Sequence, residues 1–130
     1  MGMNINNKHL DPSTKFFDEF FDAYVICALW SSTDERGDSL DDNYNVNDIH
    51  PDSLKQMKAD CGIFVTANAE LLHNLSPCQC GHDFWLTRNH HGAGFWDRGL
   101  GEVGDKLTDA CKTIGECDLY VGDDGKLHLQ

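Results

Sequence analysis

At 130 residues and 14.6 kDa the chain is the size of one domain, and its 40% hydrophobic and 25% charged residues exclude a disordered or collagen-like polymer. Twenty-two acidic against ten basic residues give a net charge of −12, which repels nucleic acid and anionic membranes, so neither is expected as a direct partner. The longest apolar stretch, Ala23 to Trp30, is too short to span a bilayer, and residues 1–10 show no basic region followed by an apolar one. A soluble, unexported chain is therefore the expectation. Without an export signal the six cysteines are expected as free thiols, with Cys27, Cys61 and Cys111 serving as small buried hydrophobes.

The charge is uneven along the chain. Residues 1–52 hold eleven acids and three bases, so they carry two thirds of the net excess. Asp11-Pro12 supplies an N-cap and a first-turn proline, and Phe17, Phe20, Phe21, Tyr24, Cys27 and Ala28 follow at helical spacing, which predicts a first helix over about 12–30. Residues 31–50 contain Asp34, Glu35, Asp38, Asp41, Asp42 and Asp48 without an apolar period and read as a solvated acidic loop. Pro51-Asp52 restarts a helix, and Leu54, Met57, Cys61, Phe64, Val65, Leu71 and Leu72 mark one face of it. This second helix, of about six turns, is expected to be the longest element.

Asn74, Ser76, Pro77 and Gly81 read as breakers, and His82 to Arg88 (HDFWLTR) as a short buried strand. Residues 89–101 form a glycine-rich loop anchored by Phe95 and Trp96. Val103, Leu107, Ala110, Cys111 and Ile114 then make a helical stripe that ends at Gly115. Finally, residues 117–121 and 126–130 alternate around Gly-Asp-Asp-Gly as a hairpin. The order ααβαββ predicts an α+β fold over residues 1–130, with helices packed on a small mixed sheet of about three strands. In that arrangement the strand at Phe84 would lie parallel to the one at Leu119.

Four constellations bear on chemistry. Gly99-Leu-Gly101-Glu-Val-Gly104 matches the glycine pattern of a phosphate loop, but no strand runs into it and Glu102 and Asp105 would repel a phosphate; turn shaping is the better account. Cys78, Cys80 and His82 alternate and would share one face of an extended segment, yet the spacing is not that of a zinc site, and neither a metal nor a cofactor is expected. The densest polar cluster is His82, Asp83, Arg88, Asn89, His90, His91, Asp97 and Arg98. Histidine, carboxylate and guanidinium together suit acid-base work or a phosphate clamp, which makes His82, Asp83, Arg88, Asn89, His91, Asp97 and Arg98 the candidate loop site for a small ligand or nucleotide. With no catalytic nucleophile motif beside them, pairing of Asp83, Arg88, Asp97 and Arg98 to hold the loop against the sheet is the preferred account, and no catalytic residue is assigned. The fourth is the acidic surface: the loop carboxylates with those of Asp18, Glu19 and Asp22 could imitate nucleic-acid phosphates, although a solvated, solubilising face is the simpler account of a charge run.

The segment His82 to Tyr120 contains FWLTRN followed by HGAGFWDRG and resembles a family of small uncharacterised proteins common in bacteriophage and prophage genomes. Similarity extends through Pro51 to Cys61, Ala67 to Leu72 and Gly122 to Lys126, about two thirds of the chain. The family pattern has glycine where this chain has His90, so His90 departs from it while His91 fits. The resemblance implies a phage origin and thus the host cytoplasm, but no activity; together with the charge asymmetry and the missing catalytic set it makes an accessory protein that acts by binding a host or defence-system protein the expectation. The expected contacts are the acidic Asp34, Glu35, Asp38, Asp41 and Asp42 together with the aromatic Trp85 and Trp96.

Overall fold

The computed structural model describes residues 12–130. Among these residues five α-helices are followed by one β-hairpin: α1 Pro12–Ser31, α2 Pro51–Ala67, α3 Ala69–Leu72, α4 Pro77–Arg88, α5 Glu102–Ile114, β1 Leu119–Val121 and β2 Leu127–Leu129. Short 3-10 turns lie at Leu40–Asp42, Val46–Asp48 and Phe95–Asp97. The α+β class is borne out. The expected N-cap at Asp11 lies outside the described residues.

The largest departure from the sequence reading is α4, which replaces the strand expected over His82 to Arg88. A run of seven largely buried residues has no exposed face from which a period could be read, so strand and buried helix look alike in sequence. Locally, Ser76 accepts the backbone N–H of Gln79 at 3.3 Å and Pro77 occupies the first turn, an ordinary helix start. Gly81, which reads as a breaker, sits inside the helix because α1 crosses there. A Cβ at Gly81 would fall on the carbonyl oxygen of Phe20, far inside van der Waals contact. The glycine lets two backbones touch, and α4 becomes the buried centre of the molecule, with every residue from Asp83 to Arg88 buried.

Among the described residues the sheet accordingly has two strands and no parallel crossover. Leu119 pairs with Leu129, Tyr120 with His128 and Val121 with Leu127, antiparallel, around the predicted turn. The hairpin's further neighbour is the acidic loop: Ile49 forms a lone parallel bridge with Leu127, and the N–H of His50 donates to the Leu127 carbonyl at 2.8 Å. Ser53 Oγ then accepts the N–H of Leu129 at 3.0 Å, so the start of α2 covers that strand edge.

The second predicted helix divides at Asn68. Its side-chain amide donates to the Phe64 carbonyl at 2.9 Å beside its own backbone N–H at 3.1 Å, which ends α2 and leaves α3 as a single turn. The longest element is therefore α1, with 20 residues against 17 for α2. Predicted helix α5 and its terminal Gly115, at φ +85°, stand as read.

One core joins all of these elements. Phe20 and Tyr24 of α1, Phe64 of α2, Phe84 of α4 and Phe95 of the following loop form a continuous aromatic stack, with the Phe64 and Phe84 rings only 4.2 Å apart. Leu40 and Ile49 enter the same core from the acidic loop. The loop is thus pinned at two points, and the label of a merely solvated segment is corrected.

Candidate functional site

The candidate residues of the His82 to Arg98 segment separate into two ion-paired clamps and a surface groove. The first clamp is Arg88, at the C-terminal end of α4 and only 4% exposed. Its Nη1 donates to Asp60 Oδ2 of α2 and to the Tyr24 hydroxyl of α1, both at 2.9 Å, and its Nε donates to the Gly115 carbonyl after α5 at 2.8 Å. One guanidinium therefore ties four elements together. Burial pushes the Tyr24 hydroxyl well above its ordinary pKa, so it stays a neutral acceptor toward Arg88.

The second clamp joins Arg98 of the glycine loop to Asp83 of α4. Arg98 Nε lies 3.1 Å from both carboxylate oxygens and Nη2 lies 2.8 Å from Oδ1, while Gln79 Nε2 also donates to Oδ1 at 3.1 Å. The hydrogen bonds that Arg98 donates to the Asp83 carboxylate raise the guanidinium pKa further. Asp83 is 1% exposed and fully engaged, so its carboxylate is not free to act as a base.

These pairs correct the expected scheme in two respects. Arg88 pairs with Asp60, outside the expected set of four, and Asp97 is exposed. The loop is also held against helix α4, since no strand lies beneath it. Phe95 N–H donates to Thr87 Oγ1 at 3.1 Å and His91 N–H to the Leu86 carbonyl at 2.9 Å, closing the loop over the helix end. Asn89 accepts the N–H of Cys117 at 2.9 Å and so fixes the start of the hairpin segment.

His82, Arg98 and Gln79 line an open groove of about 610 Å³ between α1 and α4, whose other wall carries Glu19, Asp22 and Ile26. A smaller depression of about 270 Å³ lies across the Asp83–Arg98 pair and is walled by Leu75, Phe95 and Leu100. The seven candidate residues thus do not share one hollow. Arg88 is inside the fold, Asn89 and His91 brace the loop, and only His82 and Arg98 face the groove.

The cysteine and histidine alternation also changes meaning in a helix. Cys78 and His82, four residues apart, share one face, while Cys80 turns into the core, where burial pushes its thiol up to about 12. All six cysteines are free, and among the described residues no group of three or more metal-type ligands comes together. The glycine pattern at Gly99 to Gly104 opens α5 without a preceding strand. At Gly104 a Cβ would lie 2.8 Å from the Phe95 carbonyl oxygen, so that glycine serves packing.

On the acidic loop, Asp34 is corrected from a free contact to a structural one. Its Oδ1 accepts the N–H of Arg36 at 2.9 Å and of Asp38 at 3.0 Å, closing the turn from within. Partial burial opposes its ionisation, but these two N–H groups and the Arg36 guanidinium hold its carboxyl below the ordinary range. Its contribution is complete above the unfolded-state pKa of about 3.9 and is lost as pH falls through the lower folded-state value. Asp34→Asn is therefore expected to flatten the acid limb of the stability curve, read as the urea midpoint at a series of pH values below about 5; an unchanged limb refutes the assignment. Asn45 closes a reciprocal cap with Asp48 further along the loop. Glu35, Asp38, Asp41 and Asp42 remain exposed on this fixed frame.

The two tryptophans differ. Trp85, expected at the surface, is 2% exposed and donates its indole N–H to Ser31 Oγ at 2.8 Å, so it is removed from the contact surface; Trp96 is 49% exposed and remains. Tyr24 and Asp60, the partners of Arg88, escape sequence reasoning because nothing in their spacing points to a residue 28 positions or more away. Ile26 and Trp30 were legible in principle, since both are apolar residues off the core stripe of α1.

His90 is the only non-glycine residue with positive φ among the described residues, at +59°, a conformation that glycine adopts at lower cost. Its Glu116 contact at 2.9 Å joins two exposed side chains and contributes little. His90→Gly is expected to stabilise the fold by roughly 0.5–1 kcal/mol, less what glycine adds to unfolded-chain entropy. Equal or lower stability in urea would show that the loop carries no strain at this position.

Comparisons with protein-family profiles, curated protein sequences and solved structures give no match. Fold and surface alone therefore define the class: a mainly helical α+β domain with a buried arginine clamp at Arg88, a second clamp at the rim of a groove, and a net acidic charge. No described helix is long and apolar enough to cross a membrane.

Proposed function

We propose that this protein is a phage-encoded accessory protein that acts by binding a host or defence-system protein in the host cytoplasm. The observation that carries the binding mode is the acidic loop. Leu40 and Ile49 anchor it in the core, Asp34 and Asn45 fix its turns, and Glu35, Asp38, Asp41 and Asp42 project from that frame. Carboxylates held at fixed spacing pair with a basic groove on a partner without first paying the ordering entropy of a mobile loop, in the manner of a nucleic-acid mimic. Within the loop Arg36 is the one basic residue, 3.7 Å from Asp38, so Glu35, Asp41 and Asp42 keep the loop's surface net negative.

Affinity capture from host lysate with the wild-type chain and with Glu35, Asp38, Asp41 and Asp42 reversed to lysine tests the reading. Recovery of a specific protein that is lost on reversal and weakens steeply with salt is expected. Equal recovery by both chains removes the acidic surface as the contact. A ligand or enzyme role for the His82 to Arg98 segment is the second reading, favoured only by the placement of His82 and Arg98 on one groove.

A further inference from the structure

We propose that the groove between α1 and α4 is a second contact, and that it docks a basic amphipathic helix of a partner protein; the proposal rests on the reading that the chain acts by binding, but assigns it a place outside the acidic loop. Glu19, Asp22, Ala23, Ile26 and Trp30 fall on one face of α1, turned away from its core stripe. Ile26 is 65% exposed and Trp30 56%, although a helix with this much aromatic core has no structural need for apolar residues on its outer face. Across the groove, Cys78 and His82 stand one turn apart on α4, and the His82 ring lies 6.0 Å from that of Trp30. The result is an apolar strip along α1, faced across the groove by Cys78, Gln79 and the His82 ring of α4.

The shape and charge select the occupant. A small molecule is held by a pocket that buries most of its surface, whereas this groove, about 610 Å³, is open along its length. From Glu19 to Trp30 the α1 face runs roughly 16 Å, about three turns of helix, and a third helix seats its own ridge between two others at such a place. The rim carries the carboxylates of Asp22 and of Glu19, the latter in a loose 3.7 Å pair with Lys15. The groove's own cation, Arg98, is already neutralised by the buried carboxylate of Asp83. An apolar strip with a negative rim complements an apolar helix face flanked by lysine or arginine, and the total charge of −12 attracts it from a distance.

The test titrates the full-length, isotope-labelled chain with a synthetic leucine and lysine helix of about four turns and follows amide and side-chain resonances. Shifts are expected at Ile26, Trp30 and His82. The paired substitution Ile26→Ser and Trp30→Ser is expected to weaken binding about tenfold or more, as is Asp22→Lys, while reversal of Glu35, Asp38, Asp41 and Asp42 changes it by no more than about twofold. Several outcomes overturn the proposal. Shifts confined to residues 34–48 place the helix on the acidic loop, so the groove fails while binding through the exterior stands. Equal binding of a leucine and glutamate helix removes charge complementarity. Shifts at the groove that appear only after deletion of residues 1–11 assign it to the chain's own segment, and shifts that grow with protein concentration before any helix is added assign it to a second copy. Absence of binding at millimolar helix, together with unchanged lysate capture on acidic-loop reversal, ends both readings.

Discussion

Arg88→Met is expected to destabilise the fold by about 3–5 kcal/mol, lowering Tm by on the order of 10–20 °C. The methionine would fill most of the volume but would leave the Tyr24 hydroxyl, the Asp60 carboxylate and the Gly115 carbonyl without their shared donor. Breaking a buried pair costs more than the pair itself contributes, because the desolvation of the surviving partner is no longer offset. The double variant Arg88→Met with Asp60→Leu should therefore recover much of the loss. As a surface reference, Lys112 and Asp109, with side chains 69% and 74% exposed, should tolerate replacement within about 0.5 kcal/mol. Equilibrium unfolding in urea checks all of these variants. A loss at Arg88 no larger than at the surface pair would mean that the guanidinium does not organise the end of α4.

Gly81→Ala is expected to cost about 3 kcal/mol or more, even though alanine is the better helix former by about 1 kcal/mol. The added methyl group meets the backbone of Phe20 rather than the end of a flexible side chain, so relief requires α1 and α4 to separate. Separation would open the Phe20, Tyr24 and Phe84 contacts at the centre of the core. Gly62 supplies the opposite sign. It also lies within a helix, but a Cβ there would meet only the Phe17 ring, at 4.0 Å, so Gly62→Ala should stabilise by about 0.5–1 kcal/mol. Thermal unfolding of the two variants separates the effects, and a stabilised Gly81→Ala chain would contradict the close approach of α1 and α4.

Both predictions concern α4, where sequence reasoning and structure part. The residues that make α4 a helix are present in the sequence: Ser76 and Pro77 start it, and nothing from Gln79 to Arg88 prevents it. What hides it is total burial, since the helical period is visible only when one face stays polar. Helices α1 and α5 were legible because each keeps such a face, and the hairpin because glycines flank its turn and Leu119, Val121, Leu127 and Leu129 alternate.

The candidate loop site divides along the same line. That Asp83 and Arg98 would pair could be anticipated from two opposite charges flanking an aromatic loop, but the partner of Arg88 could not, since Asp60 lies on another helix 28 residues earlier. The acidic loop was located in sequence by composition, whereas its rigidity was not, because Leu40 and Ile49 are single apolar residues without a period.

Sequence alone determined the acid excess, the α+β class, the ends of α1 and α5, the hairpin with its turn and the six free thiols, all of which depend on local chemistry or on composition. Only the tertiary structure decided that α4 is a buried helix, that Trp85 faces inward while Ile26 and Trp30 face outward, and that one arginine ties four elements. The physical reason is that burial and ion pairing are properties of surfaces meeting in space. A residue's own spacing records which face it occupies on its element, and the neighbouring element settles whether that face is covered.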